Sequence, residues 1–166
     1  PDEELLRLCA SLDLAELSAE RVLEEWRKLL LKGVKPSLGT EILRTTRLLG
    51  FFPELAALVG VPQDPDWHPE GDCWLHNQRV IDEAARLRDG GADDEALMFG
   101  ALLHDVGKPV TTATTDGRVR SPNHDVRGVE LATGFLERMR APNELVARVG
   151  ALVEHHLAPA LFIKNG

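Results

Sequence analysis

Apolar residues recur at three- and four-residue spacing along nearly all of this 166-residue chain, and runs alternating apolar with polar residues are scarce. That period fits helices and no other regular structure, so the pattern predicts an all-α fold. Tyrosine, a residue strands favour, is absent. The spacing predicts helices over residues 2–10, 18–33, 37–49 and 53–59, the second carrying Val22, Leu23, Trp26, Leu29 and Leu30 on one face. Ser18 is placed to cap that helix, and Gly50 to end the third. Further helices are expected over 73–88, 94–104, 124–140 and 143–157, with a loop or small hairpin across 108–123 around Asp116-Gly117. The strongest interruption is Val61-Pro-Gln-Asp-Pro-Asp-Trp-His-Pro-Glu-Gly-Asp72. Its three prolines and one glycine exclude regular structure, and Asp72 is placed to cap the next helix. The chain is therefore expected to divide into a helical segment, residues 1–60, and a larger helical domain, residues 61–166.

All six histidines fall in the second part: His68, His76, His104, His124, His155 and His156. His76 lies in line with Val80, Ala84 and Leu87. His104 closes the row Leu97, Gly100, Ala101, and His156 the row Leu145, Val149, Leu152. Three imidazoles from three helices thus point at one interior. A polar ring on an apolar face costs free energy unless it is satisfied. For one histidine alone a hydrogen-bonded core residue is the simpler reading; three together, one followed by Asp105 and one doubled, point to a metal site. Asp105 stands about 100° round the helix from His104, and near a helix end both side chains can reach one ion. Imidazole with carboxylate suits Mg, Mn, Ni or Co, which acidify water and polarise a phosphoryl oxygen. Lys108 is placed either to steady substrate phosphate or to act as a cation at a helix C-terminus. His124, opening a helix, is a candidate second-ion ligand or proton donor. His155 cannot share the direction of His156, which leaves it a second-ion or substrate role, or the surface.

Composition excludes several classes. A net charge of -8 argues against holding nucleic acid over a large area, leaving at most a local patch at Arg118, Arg120 and Arg127. Two cysteines, Cys9 and Cys73, make no disulfide framework, which fits a reducing cytoplasm, and Cys73 reads as packing. No apolar run is long enough for a membrane span, and no signal peptide is visible. There is no glycine-rich phosphate loop and no nucleophilic Ser or Cys arrangement. The chain starts at Pro1 and stops at Lys164-Asn165-Gly166, which reads as a piece of a longer protein.

The His104-Asp105 pair within Ala101-Leu-Leu-His-Asp-Val-Gly-Lys108 resembles the HD superfamily of metal-dependent phosphohydrolases. Trp67-His-Pro-Glu-Gly-Asp72, the helix with His76, Asn123-His-Asp125 and Val153-Glu-His-His-Leu157 are similar to the HD domain of bacterial tRNA nucleotidyltransferases, the CCA-adding enzymes. Upstream, Glu20-Arg-Val-Leu-Glu-Glu-Trp-Arg-Lys-Leu-Leu30 and Lys35-Pro-Ser37 resemble the helical body preceding it. The resemblance implies an HD helical bundle after a short helical extension, and phosphatase, 2′-nucleotidase or 2′,3′-cyclic phosphodiesterase activity. It carries functional residues onto His104, Asp105, His155 and His156, with His76 as the first histidine of the pattern and His68 as a mark of the branch. It implies a nucleotide or phosphate-ester substrate, with tRNA as a partner of the full-length protein. The nucleotidyl-transfer head has no counterpart in this text, so nucleotide addition is not expected from it. Many HD proteins close the site with a late aspartate, yet no aspartate follows Asp125. Either that residue lies beyond the chain or the doubled histidine completes the shell. The competing expectations are a structural or RNA-positioning module with a vestigial site, and a two-iron oxygenase.

Overall fold

The computed structural model of the protein describes residues 2–159, whose regular elements are helices apart from one two-stranded hairpin. The last seven residues of the expected second domain, 160–166, lie outside the described residues. Helix α1 (Glu3–Ala10) starts at Asp2, whose carboxylate accepts the Leu5 N–H at 2.8 Å. A 3-10 turn over Leu14–Glu16 leads to α2 (Ala19–Lys32), capped as expected by the Ser18 hydroxyl. Its apolar face buries Leu23, Trp26 and Leu30, with Trp26 edge-on to Phe52 at 5.0 Å.

Helix α3 (Pro36–Thr45) ends earlier than Gly50, where the sequence put its stop. The Thr46 hydroxyl donates to the Ile42 carbonyl at 2.7 Å, competing with the helix ladder, and Arg47 turns left-handed at φ 66°. The chain then folds Leu48 and Leu49 into the core through a 3-10 turn over Leu48–Phe51. Helix α4 (Pro53–Ala56) is correspondingly short.

Asp72 does more than cap α5 (Cys73–Leu87). One carboxylate oxygen accepts the Leu75 N–H at 2.9 Å, and the other the Gly60 N–H at 2.7 Å. The irregular stretch is thereby closed against the helix it precedes. Helix α6 (Asp94–Leu103) is the central element: Ala96, Met98, Phe99, Gly100, Leu102 and Leu103 are all buried. Helices α2, α5 and α9 (Asn143–His155) pack around it, and α8 (His124–Arg138) packs along α9. Between them lie the short α7 (Lys108–Thr111) and the expected hairpin, β1 (Ala113–Thr115) with β2 (Arg118–Arg120). Its turn residues Asp116 and Gly117 both take positive φ, 53° and 74°, as a tight two-residue hairpin turn requires.

One apolar core runs from Leu23 and Trp26 of α2 through Phe99 of α6 to Val149 and Val153 of α9. The first 60 residues share it with the remainder. Arg27 of α2 also pairs with Glu95 of α6 at 2.6 Å. No helix of the described residues is long and apolar enough to cross a membrane.

Candidate metal centre

Where α6 ends decides the site. The helix closes at Leu103, and the next residues form a turn in which Lys108 N–H bonds back to the Asp105 carbonyl at 2.9 Å. Val106 is sealed in the core, so Asp105 and Lys108 turn the other way, toward a cavity of about 240 Å³. His76 arrives from α5, His124 from the start of α8, and His156 from the end of α9.

The Asp105 carboxylate is at the middle, 1% exposed. Its Oδ2 lies 3.1 Å from His104 Nε2, 3.8 Å from His76 Nε2 and 2.7 Å from Lys108 Nζ. Its Oδ1 lies 3.4 Å from His124 Nε2 and 3.8 Å from His156 Nε2. Two triads that could each hold a metal ion therefore share one carboxylate: His76, His104 and Asp105, then Asp105, His124 and His156. Donors about 2.1 Å from one ion stand roughly 3.0–3.4 Å apart at 90–109°, close to these spacings.

The protons on the rings settle what the cluster lacks. Nδ1–H of His104 donates to the Ala101 carbonyl at 2.8 Å, that of His124 to Ser121 at 2.7 Å, and that of His156 to Val153 at 2.6 Å. A carbonyl only accepts, so the proton of each neutral ring sits on Nδ1 and Nε2 keeps a lone pair. His76 Nδ1–H donates to Glu70 at 2.5 Å with the same result. Four bare nitrogens thus face one carboxylate. His124 Nε2 and His156 Nε2 lie 3.1 Å apart, which two lone pairs tolerate only with a cation or a proton between them. Asp105 Oδ2 is buried without a hydrogen bond, because Lys108 pairs with it in charge but out of line. The donor set fits a divalent cation.

Charge and burial set the protonation of these groups. Burial lowers His76 and His156 below the ordinary imidazole value, in His76 against the pull of Glu70, so both are neutral at neutral pH. Burial raises the carboxyl of Asp105, but His104, helped by His124 and Lys108, outweighs it and holds the group well below its usual value. Glu70 is a functional residue the sequence reading missed. Burial raises its carboxyl, yet a backbone hydrogen bond and those from His76 and His68 hold it at about 2. A carboxylate behind a ligand histidine fixes its tautomer and raises its basicity. Glu70→Gln keeps the shape and an acceptor but removes the charge. Metal affinity, followed by competition with a chelating dye, is expected to fall about 10–100-fold with the fold unchanged.

The structure brings together His76, His104, Asp105, Lys108, His124 and His156. It does not bring in His155, whose side chain is 70% exposed and, among the described residues, has Glu154 as its charged neighbour at 3.9 Å. Lys108 opens α7 rather than ending a helix, and its ammonium also donates to Gln63 at 2.6 Å. His68, read as a family mark, supports the site: it donates to Glu70 at 3.1 Å and sits edge-on to His76, ring centres 4.6 Å apart. Cys73 is fully buried, its thiol pushed up to about 12 by burial, as a packing residue should be.

Residues 75–161 match the HD domain family, and residues 3–58 match a family described as the probable RNA and SrmB-binding site of polymerase A. A multifunctional CCA protein of Vibrio vulnificus (strain YJ016) is 34% identical over 152 residues, covering 90% of this chain and 35% of that protein. Its counterpart in Hahella chejuensis is 39% identical over 135 residues, covering 80% of this chain and 30% of the relative. That of Stenotrophomonas maltophilia is 37% identical over 151 residues, covering 90% and 36%. The chain spans about a third of the length of these curated relatives.

Proposed function

This chain belongs to the HD domain family, and on that premise we propose that it is a metal-dependent phosphohydrolase acting on phosphomonoesters or cyclic phosphodiesters. The observation that carries the reading is the ring of four bare Nε2 atoms around the buried Asp105 carboxylate, each ring having its Nδ1 proton engaged elsewhere. His76, His104 and Asp105 would hold one divalent ion, and Asp105, His124 and His156 a second. Each position offers three protein donors, the number that leaves coordination open for catalysis. Mg, Mn, Ni or Co bound there supplies Lewis acidity toward phosphoryl oxygen and lowers the pKa of water.

The chain's own residues do the rest. Lys108 Nζ, fixed between Asp105 and Gln63, places a positive charge at the floor of the cavity where phosphate oxygens would lie. Arg120 of the hairpin adds a second cation at the rim. With only the first position filled, the free Nε2 atoms of His124 and His156, 3.1 Å apart, are placed to take the proton released by the attacking water and hand it to a leaving oxygen. His155 has no part in this reading.

We further divide the chain into a helical body, residues 1–60, and the HD domain, residues 61–166, supported by the two family matches. We take the full-length protein to be tRNA nucleotidyltransferase-like and cytoplasmic, with tRNA as a partner, on the strength of its relatives and of the match at residues 3–58. The test is element-resolved metal content of the purified chain, followed by hydrolysis of a 2′,3′-cyclic nucleotide and an aryl phosphate with that metal restored. Metal retained together with turnover is the expected result. A folded chain that takes up no added metal would favour an RNA-positioning module, and metal without hydrolysis of either ester would sink the phosphohydrolase reading.

A further inference from the structure

The metal centre opens on two sides. His76, His104 and His156 line both the polar cavity of about 240 Å³ and a groove of about 1230 Å³ along α5, α6 and α9. The groove is mostly apolar, and its two arginines are already matched, Arg148 with Asp93 and Arg79 with Glu70 at 4.0 Å. The small cavity carries Lys108 and Arg120, and Arg120 has no carboxylate partner among the described residues. An anionic ester therefore meets unmatched positive charge on the small side only.

At the mouth of that cavity stands Trp67, 75% exposed, whereas Trp26 and Trp74 are each 3% exposed. Its backbone is held between Pro65 and Pro69. Its N–H donates to the Asp64 carbonyl at 3.1 Å, as does that of His68 at 2.9 Å. The neighbouring His68 ring lies against the ligand His76. An exposed indole is thus tied through one residue to the metal-binding side chains. Ligand pockets enclosing a whole small molecule run roughly 300–1000 Å³, so a cavity below that range takes a phosphate and its sugar and leaves the remainder at the rim.

We propose that Trp67 is the specificity-determining residue of the site: an aromatic base stacks on its indole while the attached phosphate lies over Lys108. The proposal rests on the phosphohydrolase reading. It makes the substrate a nucleotide-type ester selected by its base, and places it on the polar side of the centre. Stacking of one base on an aromatic side chain corresponds to a factor of roughly ten or more in affinity.

The test compares a nucleoside monophosphate with ribose 5-phosphate, which has the sugar and phosphate but no base, on the Mn-loaded chain. The red-shifted, ligand-quenchable part of the tryptophan emission reports Trp67, because the other two indoles are buried, and its loss in Trp67→Ala identifies it. The nucleotide is expected to quench that emission and to bind, and to be hydrolysed in kcat/KM, about tenfold better than ribose 5-phosphate. The ratio should fall toward one in Trp67→Ala and return in Trp67→Phe. Equal values for the two esters, or a ratio surviving in Trp67→Ala, would overturn the proposal. Quenching by the nucleotide without hydrolysis of either ester would uphold the stacking platform and overturn the phosphohydrolase reading instead.

Discussion

Asp105→Asn protein supplied with metal is expected to lose activity toward an aryl phosphate by on the order of 10³-fold or more in kcat/KM, because Lewis acidity contributes several kcal/mol to such a barrier. The size follows from geometry. Asp105 is the one side chain shared by both ligand triads, through Oδ2 to His76 and His104 and through Oδ1 to His124 and His156. An asparagine keeps the shape but turns one end into an N–H donor. That donor can satisfy a bare Nε2, so the pocket stays folded while losing its charge and one of its two acceptor ends. Both metal equivalents should therefore disappear together, whereas His124→Ala should remove only the one beyond His76 and His104. The cost in stability is smaller. Lys108 loses its counter-charge but keeps Gln63 and lines an open cavity, so the penalty falls below the ~3 kcal/mol or more of a sealed broken pair. The sign with pH is also fixed. A carboxylate depressed in the folded state adds stability above its unfolded value near ~3.9, and loses it as pH falls through the lower folded value. Metal-free Asp105→Asn should thus lose part of that acid dependence. Element analysis and kinetics decide the matter, and an Asp105→Asn protein with full metal and full turnover would sink the assignment.

How much of this was legible in the sequence depends on whether the cause was local. Helices such as α2 and α5 could be read because the apolar period and the caps Ser18 and Asp72 lie within a few residues of each other. The early end of α3 could not, since it depends on Thr46 bonding back to Ile42 and on a left-handed Arg47, which no cap residue announces. His76, His104 and His156 were readable because a bare imidazole on an apolar face needs a partner. His155 and His156 differ by one residue and by about 100° on the helix, which put one inside and left the other in solvent. Glu70 was hidden. Its role arises only when the irregular turn folds it back onto a histidine six residues later, and a carboxylate in a proline-rich stretch looks like any solvated charge. Gly107 belongs with it: a motif position whose reason is visible only across two elements.

Gly107→Ala is expected to destabilise the chain by about 3 kcal/mol or more, well beyond an ordinary surface substitution. Backbone conformation is not the reason, because Gly107 has an ordinary helical φ of -79°. A methyl group there would lie 2.0 Å from the His124 carbonyl oxygen and 2.7 Å from the Gly128 N. Both are backbone atoms of α8 and cannot swing aside as a side chain would. Helix propensity alone argues the other way, since alanine exceeds glycine by up to ~1 kcal/mol, but a backbone collision outweighs that. Relief requires the start of α8 to move off the turn carrying His104 and Asp105, and the first residue of α8 is His124. The variant should therefore lower Tm by roughly 6–12 °C and also lose the metal equivalent proposed for Asp105, His124 and His156. Gly128→Ala meets a Val153 methyl at 2.9 Å and should cost less, since a side chain can yield. Gly50→Ala, where nothing lies within 4 Å of the added carbon, is the control and should leave both measurements in place. If Gly107→Ala melts with the parent protein and binds the same amount of metal, the close approach of that turn to α8 does not set the geometry of the centre.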